Sequence, residues 1–159
     1  SNRDLLLFIN KLIKFKNSFK KNEKFLIEEY ISGKELTVSV IKDQLNYKPL
    51  GVTEIVSLNK TYDYQAKYTK GFSKHFIPAR ITKQKYKQCL ELSLKIHKIF
   101  KCNTLSRVDF ILSKKENKIY FLEINSQPGM TKISLLPEQA KFNKIKFESI
   151  VKELINNSK

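Results

Sequence analysis

The sequence predicts an α+β fold, a mostly antiparallel sheet packed with helices. Apolar residues recur at helical spacing in several segments, other short runs alternate as strands do, and one polar turn joins two of those runs into a hairpin. Strands and helices follow one another without a regular strand–helix–strand alternation, which favours α+β over a parallel sheet. At 159 residues, the chain fits one domain or a large piece of one.

The first half of the chain predicts a helix, three strands and a long loop. Residues 4–19 have the apolar spacing of an amphipathic helix, with Asp4 near its start. The three strands are predicted from apolar or alternating runs at 25–30, 35–41 and 50–58. Residues 59–76 are polar and aromatic without a clear period, and a loop of that length is often functional.

The second half predicts a helix, a hairpin and two short helices. Residues 82–100 have helical apolar spacing, and Thr82 is a candidate N-cap. Two apolar runs within 104–125 flank the polar turn SKKENK and form the predicted hairpin. A loop with Pro128-Gly129 follows. The closing helices are predicted at 134–142 and 146–156.

The hairpin carries the residues most typical of a reactive site. With a turn near Glu116, Asp109 and Glu123 face each other across antiparallel strands, and opposed like charges destabilise a sheet unless a cation offsets them. Alternation places Arg107 on the face of Asp109, and Asn125 on the face of Glu123. Two carboxylates and an amide oxygen suit Mg²⁺, which prefers oxygen ligands. A surface salt bridge of Arg107 with either acid explains the same pattern.

The same alternation sorts the apolar side chains of the hairpin. Phe121 is predicted on the face of Glu123 and Asn125. The residues predicted to point into the core are Val108, Phe110, Leu112, Leu122 and Ile124. One face of the hairpin is therefore expected to be reactive and the other to pack on a core.

The charge balance restricts the classes of partner. The net charge is +16, yet only three residues are arginine. Because guanine readout and phosphate forks favour arginine, no nucleic-acid partner is expected. No apolar run reaches membrane length, so no membrane partner is expected either. Cys89 and Cys102 lack metal-ligand spacing and predict free thiols in a reducing, cytoplasmic compartment.

Four motifs occur in the order and at the spacing of one enzyme family. They are EEYISGKELTVSV, YDYQAKY, SRVDF and LEINSQPGMT. Together they resemble the ATP-grasp family of D-alanine–D-alanine ligases, and the resemblance covers residues 25–155. It implies ATP-dependent ligation of two D-alanines to D-alanyl-D-alanine through an acyl phosphate, for peptidoglycan precursor synthesis.

The resemblance implies roles for the hairpin and for the loop that follows it. The residues that match the family's magnesium ligands are Asp109, Glu123 and Asn125. Glu123 would bridge two Mg²⁺ ions, for which Mn²⁺ could substitute. Arg107 matches an arginine that steadies charge on the transferring phosphoryl group and the tetrahedral intermediate. Gly129 matches a glycine whose N–H helps form an oxyanion hole, and Ser134 matches the hydroxyl that holds the carboxylate of the second D-alanine.

Nucleotide and lid roles follow in the same way. The residues that match the adenine-binding strand are Glu28, Glu29, Tyr30 and Ile31. Glu35 matches the acid that binds the ribose hydroxyls of ATP. The loop 59–76 resembles a mobile lid, in which Lys67 would contact phosphate and the substrate carboxylate. Tyr68 would close the lid over the first D-alanine.

The resemblance also implies an extent for the chain. Relatives begin with a substrate domain and a subdomain that carries a glycine-rich loop. Residues 1–159 are therefore expected to be the C-terminal part of the ATP-grasp domain, without those parts, from a protein that forms a homodimer. Alone, this part is expected to bind ATP weakly and not to ligate D-alanine.

Alternatives stay open at two levels. D-Serine or D-lactate could replace the second D-alanine. Another ATP-grasp carboxylate–amine ligase would share the metal residues but differ in the lid. A basic nucleic-acid-binding module would need only the lysines and would not respond to Mg²⁺ and ATP.

Overall fold

The computed structural model describes residues 2–14, 26, 28–57 and 73–157, which fall into two compact units. The first unit ends at Tyr30 and contains helix α1 (Asn2–Lys14). The helix predicted from residue 4 onward is confirmed as far as Lys14. The remaining residues of that prediction, 15–19, lie outside the described residues.

The strand predicted at 25–30 is wrong where it can be compared. Leu26 and residues 28–30 are not in a strand. A strand needs a neighbour for its backbone N–H and C=O groups, and the ladder pairs of the described residues all lie between Gly33 and Asn125. A short apolar run does not reveal whether such a neighbour exists.

The second unit, residues 31–159, is built on a five-stranded sheet. Its strands are β1 (Gly33–Asp43), β2 (Asn46–Ser57), β3 (Ser73–Phe76), β4 (Leu105–Ser113) and β5 (Ile119–Asn125). Neighbouring strands are antiparallel, in the order β3-β2-β1-β4-β5. The predicted strands at 35–41 and 50–58 are confirmed within β1 and, through Ser57, within β2.

Strand β3 corrects the prediction of a continuous loop over 59–76. Residues 73–76 pair with β2, from Ser57 opposite Ser73 to Glu54 opposite Phe76. A strand at the edge of a sheet bonds to only one neighbour, so a short polar segment can join the sheet without an apolar period of its own. Residues 59–72 of the predicted loop lie outside the described residues.

Helix α2 (Lys83–Ile99) packs against one face of the sheet. Thr82 caps it as predicted, because its side-chain oxygen accepts the Lys85 N–H at 3.3 Å. The buried residues on this side are Leu36, Val38, Val52, Ala79, Cys89, Val108 and Phe110. His97 of α2 is also buried, with Nδ1 2.7 Å from Ser106 Oγ on β4, and burial lowers the pKa of its imidazole. A neutral histidine thus joins α2 to the sheet.

Helices α3 (Leu135–Phe142) and α4 (Phe147–Asn156) pack against the opposite face. The buried residues on this side are Ile41, Leu50, Leu105, Leu136, Ala140 and Ile150. Successive residues of a strand point to opposite faces, so the sheet separates this cluster from the α2 cluster. The α+β prediction is confirmed. Within the described part of the chain, no helix is long and apolar enough to cross a membrane.

Candidate active site

The hairpin of β4 and β5 brings the two predicted acids together. Its ladder pairs Asp109 with Glu123 and Arg107 with Asn125. The chain turns at residues 114–116, as predicted. Because cross-strand partners place their side chains on the same face, the four polar residues predicted to share a face do share it.

A β-bulge interrupts this ladder beside the acids. Glu123 pairs with Asp109 but Phe121 pairs with Phe110, so Leu122 is an extra residue on β5. Phe121 therefore lies on the face of Phe110, with ring centroids 6.5 Å apart, and the prediction that it shares the face of Glu123 is wrong. Leu122, predicted in the core, is 52% exposed. Strict alternation holds only where each residue has one partner, and a bulge breaks that condition.

Arg107 supplies positive charge between the two acids. Its Nε and Nη2 atoms lie 2.9 and 2.7 Å from Asp109 Oδ1 and Oδ2, and Nη2 lies 3.6 Å from Glu123 Oε1. The salt bridge of Arg107 with these acids, which was the alternative interpretation of the sequence pattern, is therefore present. The side chains of Arg107 and Asp109 are 16% and 18% exposed, whereas that of Glu123 is 57% exposed. The charges of Arg107 and Asp109 are therefore screened less by solvent and salt than the charge of Glu123, whose side chain faces solvent.

The oxygen atoms on this face fit a hard divalent cation. Asn125 Oδ1 accepts the Gln127 N–H at 2.8 Å, which fixes the amide and leaves that oxygen a second lone pair. Considering only the described residues, no group of three or more His, Cys, Asp or Glu side chains is placed to hold a metal ion. The proposed group differs from such a set because its third oxygen donor, beside Asp109 and Glu123, is the amide of Asn125. Few protein ligands, with further positions left for water and phosphate, are typical of Mg²⁺ sites.

The loop after β5 folds back on the start of α3. Ser134 occupies the N-cap position, and its Oγ accepts the Thr131 N–H at 3.1 Å instead of capping the helix. A Cβ atom on Gly129 would lie 2.8 Å from Ser134 Oγ, closer than such atoms approach. A side chain at position 129 would thus displace the Ser134 hydroxyl, and the residue predicted for the oxyanion hole lies beside the residue predicted to bind the second D-alanine.

A buried amide on α3, which the sequence did not single out, holds that helix to the sheet. Gln139 Oε1 accepts the Ser39 N–H at 2.7 Å, and Nε2 donates to Thr37 O at 3.1 Å and Thr53 Oγ1 at 2.9 Å. Ser39 lies where a register shift between β1 and β2 interrupts the ladder, and its N–H bonds the amide there. Gln139 therefore connects α3, whose N-cap is Ser134, with β1, the strand that pairs with Asp109.

A buried carboxylate on β2 anchors the segment after β3, and sequence analysis did not find it either. Arg80 donates from Nε and Nη2 to Glu54 at 2.9 and 3.0 Å, and Lys34 Nζ lies 3.2 Å from Oε1. Burial alone would raise the pKa of Glu54, but Arg80 and Lys34 outweigh burial and lower it below its ordinary value of 4.5. Glu54 is 3% exposed, so the charge of its carboxylate is compensated by Arg80 and Lys34 and not by solvent.

Strand β3 is also tied to α3. His75 Nδ1 lies 2.8 Å from Glu138 Oε2, in the first turn of α3. This contact joins the end of the predicted lid region to α3, whose N-cap is Ser134. A sequence separation of 63 residues leaves no local signal of the pair.

The predicted ribose-binding acid lies on the face of the metal-site residues. Glu35 is two residues from Thr37 on β1, and Thr37 pairs with Asp109 on β4. Alternate residues of a strand share a face, so Glu35 and Asp109 lie on the same side of the sheet. ATP contains both a ribose and phosphates. The ribose contact predicted for Glu35 and the Mg²⁺ contact predicted for Asp109 are therefore compatible with one bound nucleotide.

The other predicted contacts are divided among three parts of the chain. The predicted adenine-binding residues of the first unit are Glu28, Glu29 and Tyr30. Ile31 begins the second unit. Lys67 and Tyr68 lie outside the described residues. The roles of these six residues stay predictions.

A protein-family model and curated proteins that are similar to this chain both carry the name D-alanine–D-alanine ligase. A family model described as D-ala D-ala ligase C-terminus matches residues 9–156. The D-alanine–D-alanine ligase of Wolbachia pipientis wMel is 46% identical over 143 residues, which cover 89% of this chain and 44% of the relative. That of Rickettsia typhi (strain ATCC VR-144 / Wilmington) is 46% identical over 138 residues, or 86% of this chain and 42% of the relative. The chain spans less than half the length of these curated relatives.

Solved structures are similar over the same part. The D-alanine–D-alanine ligase from Bacillus anthracis complexed with ATP matches with a TM-score of 0.63 and 28% identity, over 82% of this chain and 41% of that chain. The VanG D-Ala:D-Ser ligase from Enterococcus faecalis matches with a TM-score of 0.66 and 32% identity, over 80% and 37%.

Proposed function

Because this chain belongs to the family of D-alanine–D-alanine ligase C-terminal regions, we propose that the protein containing it uses ATP to join two D-alanines. The reaction would supply a peptidoglycan precursor in the cytoplasm. The observation that carries the proposal is the pairing of Asp109 with Glu123, with Arg107 bonded to the first and 3.6 Å from the second.

The residues proposed to hold Mg²⁺ are Asp109, Glu123 and Asn125. Bound beside ATP, Mg²⁺ would neutralise charge on the β- and γ-phosphates. The two acids lie on neighbouring strands of a hairpin, so their separation depends on a hydrogen-bonded ladder and not on a flexible loop. Such a rigid support is what a phosphate-positioning site requires.

The proposed reaction has two steps. The γ-phosphoryl group moves from ATP to the carboxylate of the first D-alanine, which forms an acyl phosphate and ADP. The amine of the second D-alanine then attacks that carbonyl carbon, and phosphate leaves with its bonding electron pair. Phosphoryl transfer depends mainly on positioning and charge neutralisation.

Each step has a proposed residue to stabilise its charge. The Arg107 guanidinium is planar and always charged, so it can bind oxygens of the phosphoryl group with two N–H donors. The Gly129 N–H would donate to the tetrahedral oxyanion. Ser134 would bind the carboxylate of the second D-alanine, and N–H groups at the start of α3 favour the same anion. The contact between Gly129 and Ser134 supports a shared substrate position.

The nucleotide and lid contacts complete the proposal. Glu35 would bind the ribose, and the proposed adenine contacts are Glu28, Glu29, Tyr30 and Ile31. Lys67 and Tyr68 would close over the substrates and keep water from the acyl phosphate.

The identity of the second substrate can be tested together with the reaction. The VanG relative is a D-Ala:D-Ser ligase, whereas the 46% identical relatives are D-alanine–D-alanine ligases, and this favours D-alanine. ATP-dependent phosphate release by the full-length protein should require D-alanine, and mass spectrometry should find the D-alanine dipeptide when D-serine and D-lactate are offered as well. Equal phosphate release with L-alanine, or none with D-alanine, would refute the proposal.

A further inference from the structure

A hydroxyl on β1 contacts the carboxylate proposed as a metal ligand. Thr37 and Asp109 are partners in the β1–β4 ladder, and Thr37 Oγ1 donates to Asp109 Oδ1 at 2.5 Å. The Thr37 side chain is fully buried. Solvent therefore has no access to this hydroxyl, and removing it takes a direct hydrogen bond from Asp109.

The two oxygens of Asp109 have different neighbours. Oδ1 accepts from Thr37 and from Arg107 Nε, whereas Oδ2 accepts from Arg107 Nη2 at 2.7 Å and from the same Nε at 3.3 Å. That same Nη2 atom is 3.6 Å from Glu123 Oε1, so Arg107 contacts both acids. Thr37 therefore holds the carboxylate at Oδ1, in addition to the contacts from Arg107.

The position of Thr37 is itself strongly determined. It lies on the central strand, with Thr53 opposite on β2 and Asp109 opposite on β4. Its carbonyl oxygen also accepts Gln139 Nε2 at 3.1 Å. The hydroxyl therefore comes from a backbone segment that two strands and a helix hold in place.

We propose that Thr37 is a positioning residue, whose hydroxyl holds the Asp109 carboxylate in the orientation in which it can bind a divalent cation together with ATP. This inference rests on the proposed function. Ligating carboxylates that are hydrogen-bonded by an outer residue bind metal more tightly, because the bond fixes their orientation before the metal arrives. A neutral hydroxyl provides this without adding a charge that would repel the cation.

The test compares two threonines that face each other. Thr37→Val keeps the shape of the side chain and removes the hydroxyl. Thr53→Val makes the same change at its ladder partner, which is also fully buried but bonds Gln139 instead of Asp109. Thr37→Ser restores the hydroxyl. For each full-length variant, the Mg²⁺ concentration for half-maximal binding of a fluorescent ATP analogue is measured, with a melting curve to verify folding.

We expect Thr37→Val to need about 10–100 times more Mg²⁺ than the wild type, and Thr37→Ser and Thr53→Val to stay within about threefold of it. Equal Mg²⁺ requirements for Thr37→Val and Thr53→Val would overturn the inference. Should Thr37→Val not fold, Thr37→Cys, with a weaker donor of similar size, should also raise the Mg²⁺ requirement, and no increase would overturn the inference. A wild-type protein without Mg²⁺-dependent nucleotide binding would instead refute the proposed function.

Discussion

Replacing Gln139 with leucine should destabilise the chain more than its position on a short helix suggests. The variant removes three hydrogen bonds of 2.7, 2.9 and 3.1 Å and keeps a side chain of similar volume. It leaves the Ser39 N–H and the Thr37 carbonyl without the amide that bonds them. Each such buried group costs about 1–3 kcal/mol, so we expect a loss of about 2–4 kcal/mol in the free energy of unfolding after some gain from leucine burial.

Urea denaturation followed by far-ultraviolet circular dichroism measures this loss. Lys141→Leu introduces the same residue at an exposed position of the same helix and should change the free energy by no more than about 0.5 kcal/mol. Adding Thr53→Val to Gln139→Leu should cost less than the sum of the two single changes, because both remove the same bond. If Gln139→Leu and Lys141→Leu unfold at the same urea concentration, the amide does not hold α3 to the sheet.

Three further outcomes are expected. Arg107→Lys, which loses the planar fork, should lower turnover of the full-length protein about 100-fold and change ATP affinity little, and unchanged turnover would indicate a purely structural salt bridge. Gly129→Ala should lower the free energy of unfolding by about 1 kcal/mol, and Ser134→Ala in the same molecule should restore most of it, since Ser134 Oγ is the atom that the new Cβ meets; no recovery would contradict that contact. Because the pKa of Glu54 is lowered in the folded state, its ionised form stabilises the fold above pH 4.5, and this stabilisation is lost as the pH falls through the folded-state pKa. The melting temperature of Glu54→Gln should therefore fall less steeply with acid than that of the wild type. Parallel curves would refute this.

The parts of the structure that sequence alone predicted are those with a local cause. The turn at residues 114–116 follows from one polar segment between two alternating runs, whereas the pairing of Asp109 with Glu123 also requires the extra residue Leu122 on β5. Thr82 caps α2 through a bond to a residue only three positions away. In both cases, the residues that determine the geometry are close together in the chain.

The parts that sequence did not predict depend on distant partners. Leu122 is an extra residue only because of how β5 pairs with β4, so alternation placed it in the core. Residues 73–76 join the sheet because β2 offers a free edge. Gln139 bonds residues about 100 positions away, and nothing near it in sequence distinguishes it from a solvent-exposed amide.

The most direct test of the shared acidic site is ATP-dependent phosphate release with D-alanine by full-length variants of the hairpin. Asp109→Asn and Glu123→Gln should each abolish release while melting as the wild type does. Glu116→Gln, which changes an acid at the turn of the same hairpin, should leave release unchanged. Wild-type release by a folded Asp109→Asn or Glu123→Gln variant would contradict the account.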